Sequence, residues 1–209
     1  MSAMTAESKA ALRSVLRARR RETAAARDRE ADALRLAEHV LALVASRHPD
    51  GRVCRVAAYV ALPTEPPTDR LVAALQGAGH EVILPVLLPD RSLDWMRADP
   101  DVAGDTGVAA GPSAAGLRGE PDLLGPDAIG SADVILTPGL AVDRQGTRVG
   151  QGGGSYDRAL TRRRPDALVI TVLHDGELAE GPLPRERHDI RVDAVLTADA
   201  GLVSCRASG

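Results

Sequence analysis

Six short apolar runs set what this chain can fold into. They cover 53–62, 81–88, 93–97, 133–137, 168–173 and 193–197. Most are rich in Val, Ile, Leu and Ala, so they suit strands covered on both faces. Helical patterns lie between several of them, and the alternation predicts βαβ units around a mostly parallel sheet. The expected architecture is a three-layer α/β/α domain over 1–209, with about six strands and an N-terminal helical segment. Pro85, inside the second run, argues for an edge or an irregular end. Thr68 can cap a helix over 69–78 that stops at Gly77 and Gly79. The stretch 98–126 is rich in Gly, Pro, Ala and Asp without periodicity. It reads as a long surface loop, either a tolerated insertion or a flap over a site.

Residues 5–46 lack Pro and Gly and predict helix, broken near 22–28. Leu12, Val15, Leu16, Leu34, Leu36, Val40, Leu41 and Val44 recur at roughly helical spacing. Lys9, Arg13 and Arg17 stand four apart on one face. Such a row is either a solvated face or a line of cations facing an anion. Composition sharpens this, because the chain has 25 arginines and one lysine. Lys9 is then either a chance survivor or a place where a compact ammonium is wanted. Aromatics are equally scarce: Tyr59, Trp95, Tyr156 and no phenylalanine.

Arg148-Val-Gly-Gln-Gly-Gly-Gly-Ser-Tyr-Asp-Arg158 carries the most chemistry. Glycines permit left-handed backbone and close approach to a ligand. A helix expected from about 153 to 163 would set backbone N–H groups at its positive end. Flanking arginines suit phosphate, and Asp157 suits the magnesium that accompanies a nucleotide. The loop is not a P-loop, because no lysine lies near it. It is a poor dinucleotide fingerprint, since Ser155 stands where glycine or alanine is wanted and little chain follows. Gly150–Gly153 matches the spacing of the KH loop, but the charge balance and the α/β pattern do not. A glycine-rich hairpin without a ligand stays open at this point.

A net charge of −3 gives no basic field for nucleic acid. No apolar run is long enough to span a bilayer, and no signal peptide is expected. Cys54 and Cys205 read as reduced thiols of a cytoplasmic protein and not as metal ligands.

Four separated segments resemble the 5-formyltetrahydrofolate cyclo-ligase (5,10-methenyltetrahydrofolate synthetase) family. They are Lys9 with Arg13; Tyr59 with Glu65-Pro-Pro-Thr68; Pro138-Gly-Leu-Ala-Val-Asp143 with the glycine loop; and Glu186-Arg-His-Asp189 running on to Asp193. The resemblance implies ATP- and Mg²⁺-dependent closure of 5-formyltetrahydrofolate to 5,10-methenyltetrahydrofolate, through phosphorylation of the formyl oxygen. It implies that Lys9 and Arg13 meet the triphosphate. Arg148, Gly150, Gln151, Gly152, Gly153, Gly154, Ser155 and Tyr156 would hold the nucleotide, with Arg148 and Lys9 catalytic. Asp157 and Asp189 would take the metal. Val60, Glu65, Tyr156 and Trp95 would line the folate site. Asp193 and His188 are expected to be structural. Ser155, Gln151 and His174 depart from the family pattern, where aromatic, arginine and phenylalanine or glutamine residues are usual. The expected partner is a small folate, with no nucleic acid or membrane, and a monomer. A paralogue acting on another ATP-activated substrate and a non-catalytic nucleotide-binding module are the alternatives.

Overall fold

Alternate residues of the central strands pack on opposite faces of one sheet, and this two-sided burial organises the molecule. In the computed structural model, which describes residues 6–98 and 122–205, the sheet has seven strands. In chain order these are β1 (Arg55–Ala57), β2 (Glu81–Leu87), β3 (Leu93–Arg97), β4 (Val134–Pro138), β7 (Leu168–Val172), β9 (Ala194–Thr197) and β10 (Gly201–Ser204). Their spatial order is β10-β9-β7-β4-β1-β2-β3. The five inner strands run parallel, and β3 and β10 close the edges antiparallel. Val134, Leu136, Ile170, Val172 and Leu196 face one core with Leu36, Val40, Leu71 and Leu75. Those last four come from α2 (Arg29–Arg47) and α3 (Asp69–Gly77). Ile135, Val169 and Val195 face the other core with Trp95, Ile129 and Leu160. The expected three layers are present. No helix among the described residues is long and apolar enough to cross a membrane.

A second sheet, with order β6-β5-β8, was not anticipated. It is built from β5 (Ala141–Asp143), β6 (Arg148–Val149) and β8 (Leu178–Ala179). From sequence alone, 138–146 reads as a strand continuation and turn. Instead the chain turns after Pro138 and starts a separate sheet. Asp143, fully buried, fixes that turn by accepting the N–H groups of Gln145, Thr147 and Leu183 at 2.8–2.9 Å. Gly146 completes it with φ +80°, and a Cβ there would lie 2.2 Å from the Val192 carbonyl oxygen. Gly146→Ala combines a left-handed conformation with a backbone clash, so it is expected to cost about 2–4 kcal/mol. A denaturant melt would check it; a midpoint unchanged from the wild-type protein refutes the tight contact.

The helical segment breaks where expected. α1 (Ala6–Ala26) ends, and Asp28 caps α2 by accepting from Ala31 N–H at 3.1 Å. Arg27 then clamps the corner through Asp32 and Asp199. Two local expectations are corrected. The first strand stops at Ala57 rather than running to 62. Thr68 does precede α3, but its side chain makes no cap. Its hydroxyl donates to Tyr59 C=O at 2.6 Å and accepts from Ala61 N–H at 3.2 Å. Those bonds stand in for ladder bonds and let 58–62 leave the sheet. Pro85 is also not on an edge strand. Pairing of β1 with β2 ends at Ile83, so the side of Pro85 facing β1 has no ladder to interrupt. The loop expected at 98–126 lies mostly outside the described residues.

Candidate active site

The chain builds the sheet outward from β1 through β2 and β3, then returns to the other side of β1 with β4. The carboxyl ends of β1 and β4 therefore form a topological switch point, where α/β sheets bind ligands. A cavity of about 680 Å³ lies at those ends. Tyr59, Val60, Leu62 and Glu65 line it after β1, and Pro138 and Gly139 after β4. The glycine loop, the start of α4 (Ser155–Leu160), the 186–189 segment and α1 complete the wall. Every residue given a binding, catalytic or metal role from the sequence lines this cavity except Trp95. Trp95 is fully buried in the core with Ile83 and Ile129, so its indole has no face left for a ligand.

Part of the cavity wall is charged, and its charges pair. Lys9, although only 8% exposed, holds Asp189 at 2.9 Å and Glu186 at 3.0 Å. Arg148 reaches Asp157 at 3.1 Å and Pro138 C=O at 3.2 Å, and its guanidinium lies 5.8 Å from the centre of the Tyr156 ring. Asp157 also accepts the N–H of Ile190 at 3.2 Å, which ties the start of α4 to the segment that carries Asp189. Burial alone would raise the Asp189 pKa. The Glu186 N–H and the Lys9 ammonium outweigh it and leave the carboxyl below its usual range. His188 is largely exposed, lines the cavity, and lies 3.3 Å from Glu186 and 3.6 Å from Asp189.

Gly152 and Gly154 take φ +107° and +65°, which only glycine adopts without strain. Gly154 caps a helix of six residues, shorter than the one expected over 153–163. So short a helix has little dipole. Positive charge at this end comes instead from Lys9, Arg13, Arg148 and Arg158. Arg158 also ties the loop to the β2–β3 turn, donating to Gly153 C=O at 3.2 Å and Arg91 C=O at 2.6 Å.

The same cavity also has apolar side chains in its wall, with three polar tips among them. Val60, Leu62, Pro85 and Leu87 line it. The hydroxyls of Tyr59 and Tyr156 are buried without a partner, as is Nε of Arg148. Glu65 is 3% exposed and accepts Leu62 N–H at 3.0 Å. Burial raises its pKa, opposed by that N–H and by Arg20. Unsatisfied buried donors beside a strained carboxylate mark a surface built for a polar ligand edge. A raised carboxyl pKa favours the folded state while protonated, and that advantage fades as pH rises through the folded pKa. Glu65→Gln is therefore expected to raise the melting temperature near neutral pH, with the gain shrinking toward pH 4.5. An equal gain at both pH values would contradict a buried, charged Glu65. Tyr59, Leu62 and Glu186 were not assigned site roles from sequence. For Tyr59, its rarity as an aromatic was the available signal.

His48, Cys54 and Asp133 also place ligand atoms within 4.8 Å of one another, at the opposite ends of the strands. Arg52 donates to His48 Nδ1 at 2.9 Å and to Asp133 at 2.9 Å, and Arg164 adds a contact at 3.1 Å. Burial and Asp133 push the Cys54 thiol up to about 12. A closed, cation-rich cluster with a protonated thiol is a structural lock, not a metal centre.

The family of the chain follows from its similarity to known proteins. The model of the 5-formyltetrahydrofolate cyclo-ligase family matches residues 5–198. The chain belongs to that family. A cyclo-ligase of Mycolicibacterium smegmatis is 37% identical over 97% of this chain and all of its own length. The Escherichia coli K12 enzyme is 32% identical over 68% of this chain and 76% of its own. Among solved structures, the Aquifex aeolicus 5,10-methenyltetrahydrofolate synthetase aligns with TM-score 0.66 and 27% identity, covering 95% of each chain. The Mycoplasma pneumoniae synthetase shares the fold, with TM-score 0.64 and 16% identity over 91% of this chain and 99% of its own. Of the three expected departures, Ser155 and Gln151 line the cavity, whereas His174 does not and sets its ring nitrogen 3.1 Å from Thr64 C=O.

Proposed function

We propose that this cyclo-ligase closes 5-formyltetrahydrofolate to 5,10-methenyltetrahydrofolate while converting ATP to ADP and phosphate. The observation that carries the reading is one cavity lined both by cations with a glycine-rich loop and by apolar side chains beside Glu65, Tyr59 and Tyr156. A polyphosphate suits the first and a heterocycle with polar edges the second. Phosphoryl transfer to the formyl oxygen turns a poor leaving group into phosphate, which departs when N10 attacks. Such a transfer asks the protein for alignment and charge neutralisation more than for covalent chemistry.

In this reading Lys9, Arg13 and Arg148 neutralise the triphosphate, and the backbone from Gly150 to Gly154, with Gln151, Ser155 and Tyr156, shapes its bed. Asp157 and Asp189 both line the cavity and are the oxygen ligands that would take Mg²⁺. Bound there, the metal would offset charge on the transferring group. Glu65 and the Tyr59 hydroxyl meet the pterin edge, and Val60 and Tyr156 pack on its rings. Both cysteines are free and buried, which suits a reducing cytoplasm. Purified protein mixed with Mg-ATP and 5-formyltetrahydrofolate should give the near-ultraviolet absorbance of the methenyl product. No rise dependent on both substrates would sink the reading.

A further inference from the structure

α1 grips the glycine loop by its carbonyl oxygens. Arg13 Nε donates to Gly150 C=O at 3.1 Å, and its guanidinium lies close under Gly152. One turn further on, Arg17 donates twice to a single residue. Its Nε meets the Gln151 side-chain oxygen at 2.9 Å and its Nη2 meets the Gln151 main-chain oxygen at 2.9 Å. Arg17 does not line the cavity. In a planar trans peptide, the carbonyl oxygen and the following N–H point in opposite directions. Holding the oxygens of Gly150 and Gln151 therefore fixes the directions of the N–H groups of Gln151 and Gly152. A run so rich in glycine has no side-chain packing to do this for itself.

We propose that Arg17 is a positioning residue for nucleotide: its two-pronged bond to Gln151 latches the glycine loop in the conformation that receives phosphate. The row Lys9, Arg13, Arg17 then divides its labour. The first two reach the cavity, and the third holds the wall. This rests on the nucleotide reading given above. It also gives position 151 a use, since a glutamine amide oxygen can accept from Arg17 where a cationic side chain would repel it.

The test measures Mg-ADP affinity by calorimetry and steady-state kinetics for both substrates in wild type, Arg17→Ala, Arg17→Lys, Gln151→Ala and the double alanine variant. Arg17→Ala should weaken Mg-ADP about tenfold and raise KM for ATP similarly. KM for the folate and kcat should stay within about threefold, because Arg17 itself does not line the cavity. Arg17→Lys should recover little, as an ammonium cannot make two parallel bonds. The double variant should be no worse than Arg17→Ala. The loss should persist in about 0.5 M salt, where a merely long-range charge effect would be screened. In nucleotide-free protein, ¹⁵N order parameters of Gly152–Gly154 should drop below about 0.6 in Arg17→Ala.

Unchanged Mg-ADP affinity, additive effects of the two alanines, or a loss abolished by salt each overturns the latch. If wild type binds no Mg-ADP, the nucleotide reading falls and the proposal with it. A latch failure alone instead shows normal wild-type binding and an Arg17→Ala loop that keeps its order.

Discussion

Arg148→Ala should lower kcat/KM for ATP by about 10²–10³-fold, the range for removing one preorganised charge donor at a transferring group. The side chain is 8% exposed, and its guanidinium joins three parts of the site. It donates to Pro138 C=O at the end of β4, pairs with Asp157 at the start of α4, and lies over the Tyr156 ring. Its Nε is buried and unpartnered, a donor held ready at a place where no protein acceptor meets it. Alanine removes the donor and leaves Asp157 without its cation. Stability should fall as well, by about 1–3 kcal/mol. Arg148→Lys restores charge but not the fork, so most of the kinetic loss should remain. Steady-state kinetics with thermal melts on the same preparations check both parts. Activity within tenfold of wild type in the alanine variant would remove Arg148 from the catalytic role.

The inner strands were legible because each is buried on both faces and spells that burial in a continuous apolar run. The second sheet was not. β6 and β8 have two residues each and β5 three, too few for any period to show. They exist because Asp143 and Gly146 force a turn, a tertiary cause that a local pattern does not display. The glycine loop was legible for the opposite reason: its glycines stand in sequence beside Arg148 and Asp157, which also pair in space. Trp95 shows where rarity misleads. A large aromatic on a strand contributes most by filling the core, and its partner here is Pro85 across the β2–β3 ladder. Tyr59 was equally rare and does reach the cavity, because the chain leaves the sheet just before it. Arg17 was visible only as one of a row of like charges, a pattern shared with any solvated helix face. Its target lies 134 residues away.

Asp189→Asn should raise the Mg²⁺ concentration needed for half-maximal activity by about 10–100-fold, the range measured when a group supporting a bound metal is lost. The structure adds a second, opposite effect. Without ligand, the carboxylates proposed for the metal neutralise the cations proposed for phosphate: Lys9 with Asp189, and Arg148 with Asp157. Nucleotide and metal must arrive together for both sets to exchange partners without stranding a buried charge. Asp189→Asn breaks that balance by releasing Lys9 from its shorter ion pair, with Glu186 still beside it. In the absence of Mg²⁺ the variant should therefore bind ADP at least as tightly as wild type, while binding Mg-ADP more weakly. Calorimetry with and without magnesium separates the two. A variant weaker in both conditions would mean that Asp189 holds the site together and does not trade Lys9 for a metal. The carboxyl's lowered pKa fixes the acid limit of the same exchange. Its ion pair contributes stability above the unfolded value near 3.8 and loses it as pH falls through the folded one. The difference in stability between wild type and Asp189→Asn should accordingly be full at neutral pH and vanish in strong acid.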